Sequence, residues 1–596
     1  MSRGAGERSR SWVNGIGLLI LAACYAAALV NVARKRHEET THEVIRITHW
    51  QLELGVREGL QELIRRYEEK KAREGRPVRV IQIPVTERAY AQYITTQMVG
   101  GTAPDMVALG MFPREFFGRY FLPMSEALQR PNPYIAERLR EWDARADLTD
   151  EERRLAAAHR ELRDAKWMDT FTDGLRTLYN EELQEYFGVG FSQFTIRIFY
   201  NKDLYRRVLG RDTPPETYRQ MLEDCERIEA WNRERNDTLV PIASSRYQMN
   251  LLRSRYTSGM TADLFREFDV TADAWATNVE LLAATIRGDW TPEHPRHRAT
   301  LDLLRGMARF FPRGFMALDR MDAGFSFVQG RAAMITSGSW DARSFLKNIE
   351  NQPADRRFEV GIFDFPVIGA DDPEFGRYFA GRVSESSTGT AFSIGITRYT
   401  KNQDLCVDFL QFCTTPESNS ILNRYAEWIP AVRGAIASEM LEAFTPNFVG
   451  YYGQANFDFG PRSTVLNDQL FWPFISGEID FDAFVRQLRE QLPAVAALDF
   501  VRLYREQAEG LPGRRARRAA YLADIAFGDA AKAEDAAARL LRAWDGLAPI
   551  ELGQAWMDCL MEDAARTAAA RGRLSPFNEA FFNEVVRELG PGPWRR

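Results

Sequence analysis

The sequence predicts an α/β protein of at least two lobes. The chain has 596 residues, and a single hydrophobic core stops growing at roughly 250–300 residues. Hydrophobic residues make up 45% of it and charged residues 27%, the balance of an ordinary globular domain. From 44 to 109, strand-like and helix-like patterns alternate β-α-β-α-β. That order implies a doubly wound lobe around a parallel sheet.

The first strand is VIRITHW (44–50), which alternates and ends in an aromatic. GVREGLQELIRRYEEKKARE (55–74) carries Val56, Leu60, Leu63, Ile64 and Tyr67 on one helical stripe. RPVRVIQIPV (76–85) is a second strand, AYAQYITTQMVGG (89–101) a helix closed by glycine, and APDMVAL (103–109) a short buried strand. Ligands of such sheets sit beyond the carboxyl ends of the strands. Trp50 and the loop Gly110-Met111-Phe112 fall there. Residues 131–170 are charged and helical, an insertion on this lobe. IRIFYNKDLYRRVLG (196–210) reads as strand, turn and helix, and TPPETYRQMLEDCERIEAW (213–231) as a helix entered through proline. FVQGRAAMITSGSW (327–340), VGIFDFPV (360–367) and GTAFSIGIT (389–397) are further strands. Helices follow at 403–415, 418–428 and 477–498, and beyond 500 the chain is nearly all helical.

The amino terminus differs. Arg3, Arg8 and Arg10 precede GIGLLILAACYAAALVNVA (15–33), whose only strongly polar residue is Asn31. Nineteen such residues come close to the roughly 30 Å of a bilayer core. Two tethers fit: an uncleaved helix, or lipidation at Cys24 within Leu21-Ala22-Ala23-Cys24. The apolar continuation from Tyr25 to Val32 favours the helix.

Net charge is −6, spread along the chain, which argues against nucleic acid. Five cysteines form no CxxC and no metal spacing; Cys406 and Cys413 read as buried apolar residues. Pro295 argues against a metal pair in HPRH (294–297), and no metal or cofactor is expected. Phosphate-binding, nucleophile-elbow and HExxH motifs are missing, so aromatics, amides and loop ends suggest binding more than bond-making.

Six stretches in one order resemble the extracellular solute-binding proteins of family 1, the maltose-binding-protein-like sugar receptors of ABC importers. They are VIRITHW, VGGTAPDMVAL, IFYNKDLYRRVLG with TPPETYRQML, FVQGRAAMITSGSW, FSIGITRYTKNQDLCVDFLQFCTTPESN and LFWPFISGEIDFDAFVRQL, covering roughly 44–500. The resemblance implies a two-lobed periplasmic-binding-protein type II fold with a hinge, joined here to the N-terminal membrane anchor and a C-terminal helical extension. The expected division is 1–43 for start, anchor and linker; 44–195 with 352–415 for lobe 1; 196–351 with 416–500 for lobe 2; and 501–596 for the extension. The insertion, the tail and the anchor depart from the family pattern.

By resemblance, Trp340 and Trp472 would be ligand-stacking aromatics, with Trp50, Gln51, Glu53, Met111, Phe112 and Arg114 on the first lobe's loops. Gln193 and Phe194 would line the crossover, Asp341 and Arg343 the Trp340 loop, and Gly381 and Arg382 the cleft. Taken from the residues alone, Trp50 reads first as core, and Asp105 as a structural cap of its loop. The function implied is capture of a mono- or oligosaccharide outside the cytoplasm and its delivery to ABC permease subunits. The protein would be a monomer anchored in the cell membrane, its body on the periplasmic side, with no catalytic residue. The alternatives are a tethered sensor or scaffold and, further off, a glycan-active enzyme.

Overall fold

The computed structural model describes residues 43–591, except 111, 113, 181–184, 271, 273–275, 386–389, 448–452, 545–552 and 573–575. The apolar stretch 15–33, Cys24 and Met111 lie outside the described residues. Among the described residues, no helix is long and apolar enough to cross a membrane.

The strands are β1 (Glu43–His49), β2 (Val78–Pro84), β3 (Met106–Ala108), β4 (Tyr179–Asn180), β5 (Glu185–Tyr186), β6 (Gly188–Gln193), β7 (Ile196–Asn201), β8 (Val240–Ala243), β9 (Ala332–Gly338), β10 (Val360–Phe363), β11 (Thr390–Ile396) and β12 (Ile429–Pro430). Two sheets organise them. The first has the order β12-β6-β11-β3-β1-β2, the second β10-β7-β9-β8; β4 and β5 form a separate pair. β1 pairs parallel with β2 and β3, as the β-α-β-α-β pattern requires. β11 enters antiparallel between β3 and β6. The helix Val56–Arg73 buries the stripe Val56, Leu60, Leu63, Ile64 and Tyr67 in the first lobe's core. Asp105 is structural: its carboxylate accepts from the Arg46 N–H at 2.8 Å and from the Thr400 hydroxyl at 2.7 Å.

The expected insertion is a pair of helices, Pro133–Asp143 and Asp150–Leu162, the second opened by a Thr149–Glu152 capping box. The expectation of one strand over 327–340 is corrected: Phe327 and Val328 close the helix Arg320–Val328, the chain turns at Gly330, and only Ala332–Gly338 is extended.

Two lobe assignments are also corrected. Val360–Phe363 pairs with β7 and belongs to the second lobe, not to the first with 352–415. The helix Pro416–Ala426 packs on Val56–Arg73, and Leu422, Ala426, Trp428, Ala431 and Val432 lie in the first lobe's core. That segment therefore leaves the second lobe. Each piece carries one apolar face, and its own periodicity cannot say which of two sheets covers it. The chain thus crosses between lobes at 193–196, between β10 and β11, and after β12.

The carboxyl-terminal region is built into the second lobe. A helix of 47 residues, Phe481–Phe527, leads to Ala530–Trp544, Gln554–Ala570 and Pro576–Leu589. Trp556, Met557, Leu560, Met561, Phe581 and Val585 join that lobe's core. Phe581 meets Phe500 with ring centroids 5.8 Å apart, and the Asn578 amide donates to the Ile286 carbonyl at 3.0 Å. Phe581→Ala is therefore expected to cost about 3–5 kcal/mol of stability. Denaturant unfolding of the full chain measures it; an unchanged midpoint would show that the tail only decorates the lobe.

Candidate functional site

Polar and aromatic groups from both lobes meet where β1, β6 and β9 end. On the first lobe, the Trp50 ring sits edge-on to Tyr90, centroids 4.9 Å apart, and closes over Gly110, where a Cβ would lie 2.9 Å from the indole. Gln51 is buried behind it. Glu53 is close enough to feel charges on the other lobe. Burial raises its carboxyl above the ordinary value; Arg320 opposes the rise, while Asp341 and Glu87 add to it.

On the second lobe, β9 ends at Gly338. The Ser339 N–H donates to the Thr195 carbonyl at 2.9 Å, which turns the chain back. The Trp340 ring folds over Gly338 so closely that any Cβ there would collide with it. Its edge meets Phe194, centroids 5.0 Å apart. Trp340 touches the cores of both lobes. The Arg320 guanidinium lies 5.7 Å from the Trp340 ring and 5.2 Å from the Tyr247 ring, and donates to Asp341 at 2.7 Å. The Ser337 hydroxyl also donates to Asp341. Burial pushes the Tyr247 hydroxyl up to about 12, so it stays a donor at neutral pH.

Four atoms in this region are buried with no hydrogen-bond partner among the described residues: Glu53 Oε2, Gln193 Nε2, Arg320 Nε and Trp340 Nε1. An unmet buried polar group costs about 1–3 kcal/mol. Folded chains seldom leave such groups unmet, and here they come from both lobes around one indole.

The other expected residues are placed differently. Phe112 joins a first-lobe cluster with Tyr90, Phe116 and Phe121 at centroid distances of 5.8–6.3 Å. Arg114 opens the short helix Arg114–Tyr120, and its side chain is outside the description. Trp472 is 9% exposed within the second lobe's core, its ring covered by the Arg246 guanidinium at 5.2 Å. No described contact joins it to Trp340. Arg343 reaches back to the first lobe, donating to the Tyr425 carbonyl and lying 3.9 Å from Glu427. Gly381 has φ +116°, and Arg382 is exposed, its guanidinium 3.7 Å from Asp364. Arg320 and Tyr247 escaped the sequence reading. Both open helices behind serine or aspartate caps, Ser245 and Asp319, so a search of strand ends passes over them.

Two α/β lobes joined by three crossovers, with unmet polar groups facing each other around an indole, define a two-lobed ligand-binding protein. The family pattern of the bacterial extracellular solute-binding proteins matches residues 62–445, and this chain belongs to that family. The class is one of binding proteins rather than enzymes. Solved structures share the fold. One, from work on xylan utilization by Caldanaerobius polysaccharolyticus, is 14% identical, with a TM-score of 0.50 over 75% of this chain and 99% of that one. A chitin oligosaccharide binding protein is 15% identical, TM-score 0.50, covering 76% and 99%. Maltose-bound MalE3 of T. maritima is 13% identical, TM-score 0.50, covering 75% and 98%. No curated protein matches the chain.

Proposed function

We propose that this protein captures a saccharide between its lobes and delivers it to the permease subunits of an ABC importer. Support comes chiefly from the four unmet buried atoms around Trp340, drawn from both lobes. A sugar presents a C–H face and a hydroxyl rim. The indole takes the face; carboxylate, amide and guanidinium take the rim. A ligand bridging both lobes favours the closed arrangement by its differential affinity. The neighbours named for chitin oligosaccharide and maltose support the same class.

The stretch 15–33, or a lipid on Cys24, tethers the body outside the cytoplasm in this reading. One chain supplies both walls of the site, so a monomer suffices. A second reading, a tethered sensor, is favoured by the quarter of this chain that its structural neighbours do not cover.

Thermal shift of the full chain against xylo-, chito- and malto-oligosaccharides tests the proposal. A ligand at a hundredfold its Kd adds about 2.7 kcal/mol of stability. If no saccharide shifts the melt, the carbohydrate assignment fails.

A further inference from the structure

The three crossovers meet at one side chain. Arg197 is the second residue of β7, just past the first crossover. Its Nη1 donates to the Ile196 carbonyl and to Glu385 Oε1, both at 2.8 Å. Its Nη2 donates to Glu385 Oε2 at 3.2 Å and to the Thr445 carbonyl at 2.8 Å. Its Nε donates to the Ala443 carbonyl at 2.9 Å. Glu385 lies in the second crossover, Ala443 and Thr445 in the third. The Glu385 N–H donates to the Asn447 carbonyl at 2.7 Å, and Glu385 Oε2 accepts the Asn447 N–H at 2.8 Å. The Thr195 hydroxyl donates to the Phe444 carbonyl at 2.8 Å. The Arg197 and Glu385 side chains are 3% and 1% exposed.

All five guanidinium N–H groups are used. Lysine, with three donors on a single nitrogen, cannot copy that fork. The third crossover carries the 3-10 turn Glu439–Phe444 here and lies outside both sheets, so the carbonyls of Ala443 and Thr445 have no strand to pair with. Arg197 replaces the missing strand. Arg255 adds a second cation 3.4 Å from Glu385 and 3.3 Å from Asp364. A buried pair of this kind is weak evidence for stability but well suited to fixing one geometry.

We propose that Arg197 and Glu385 are the pin of the hinge: positioning residues that bind the three crossovers into one joint, so that the lobes rotate about it without sliding. They touch no ligand in this scheme. They set how widely the ligand-free lobes separate, and through that the fraction of molecules ready to bind. The inference does not depend on the ligand being a sugar.

The test reads the distance between nitroxide labels at Arg73→Cys and Arg233→Cys, one on each lobe. It uses the full ligand-free chain with Cys24 and Cys559 changed to serine, so the sugar assignment plays no part in the outcome. Arg197→Lys and Glu385→Gln are expected to broaden the distance distribution and add a longer-distance population while circular dichroism stays that of the parent. Arg211→Lys, which weakens the buried Asp224 pair inside the second lobe alone, is expected to leave the distribution unchanged. The proposal is overturned if the folded hinge variants keep the parent distribution, or if Arg211→Lys broadens it equally. It is also overturned if both hinge variants fail to fold, because the cluster would then belong to the core rather than to a joint.

Discussion

Trp340→Ala is expected to weaken saccharide binding by about 2 kcal/mol or more, roughly thirtyfold, because a buried aromatic at the centre of a contact carries a large share of the affinity. Its effect on stability should be smaller than that of Trp472→Ala. Trp340 stands between the lobes and is only partly buried, whereas Trp472 is core, and emptying a core tryptophan site costs about 3–5 kcal/mol. Titration calorimetry and thermal melts on the two variants separate the roles. Gly338→Ala gives a finer probe. Its Cβ would displace the Trp340 ring without touching any ligand, so binding should fall while the rest of the second lobe stays intact. If Trp340→Ala binds like the parent, the indole is a wedge between lobes and the ligand site lies elsewhere.

The second large effect is a pH dependence at Glu53. Burial lifts its folded-state carboxyl above the ordinary value. Between the unfolded value and that raised one, the folded chain holds a proton that the unfolded chain has lost. Stability from this group therefore falls as pH rises through the window. The histidines run the other way. Burial lowers His49, His159 and His297 to about 4, so between there and their ordinary value the unfolded chain binds more protons, and stability rises with pH. The raw melting curve sums both, and only the difference between parent and Glu53→Gln isolates the carboxyl. That difference should grow in favour of the variant as pH rises through the window, leaving the variant more stable at neutral pH.

Ligand reverses the sense. Hydroxyl donors stabilise the ionised carboxylate, so parent binding should tighten with rising pH and release a proton. Glu53→Gln should bind more weakly and without that slope. Calorimetry in two buffers of different ionisation enthalpy counts the proton. Undiminished affinity with the parent's slope would remove Glu53 from the site.

Much of this was legible in the chain. β1 and β2 lie where alternation puts them, because a strand half-covered by a core must alternate; β3 and β7, buried at every residue, show instead as short, largely apolar runs. Trp340 is a candidate from its place in the order of six stretches, and Trp50 and Glu53 are candidates because they follow the end of a parallel strand. Phe112 and Trp472 were not separable from pocket walls, since an aromatic beside a loop is equally suited to lining a cleft or filling a core.

The sequence by itself determined the local periods, the two-lobe size, the family and the strand ends on which Trp50, Glu53 and Trp340 stand. Only the tertiary structure decided that Val360–Phe363 joins the second sheet and Pro416–Ala426 the first lobe. It also brought Arg320 and Tyr247 to the indole, and bound three crossovers to Arg197. The reason is the range of the forces involved. Periodicity records whether a residue faces apolar surroundings, and burial is blind to which partner supplies them. A guanidinium finds four of its five acceptors across 188 to 248 residues of chain, and no pattern local to Arg197 encodes those distances.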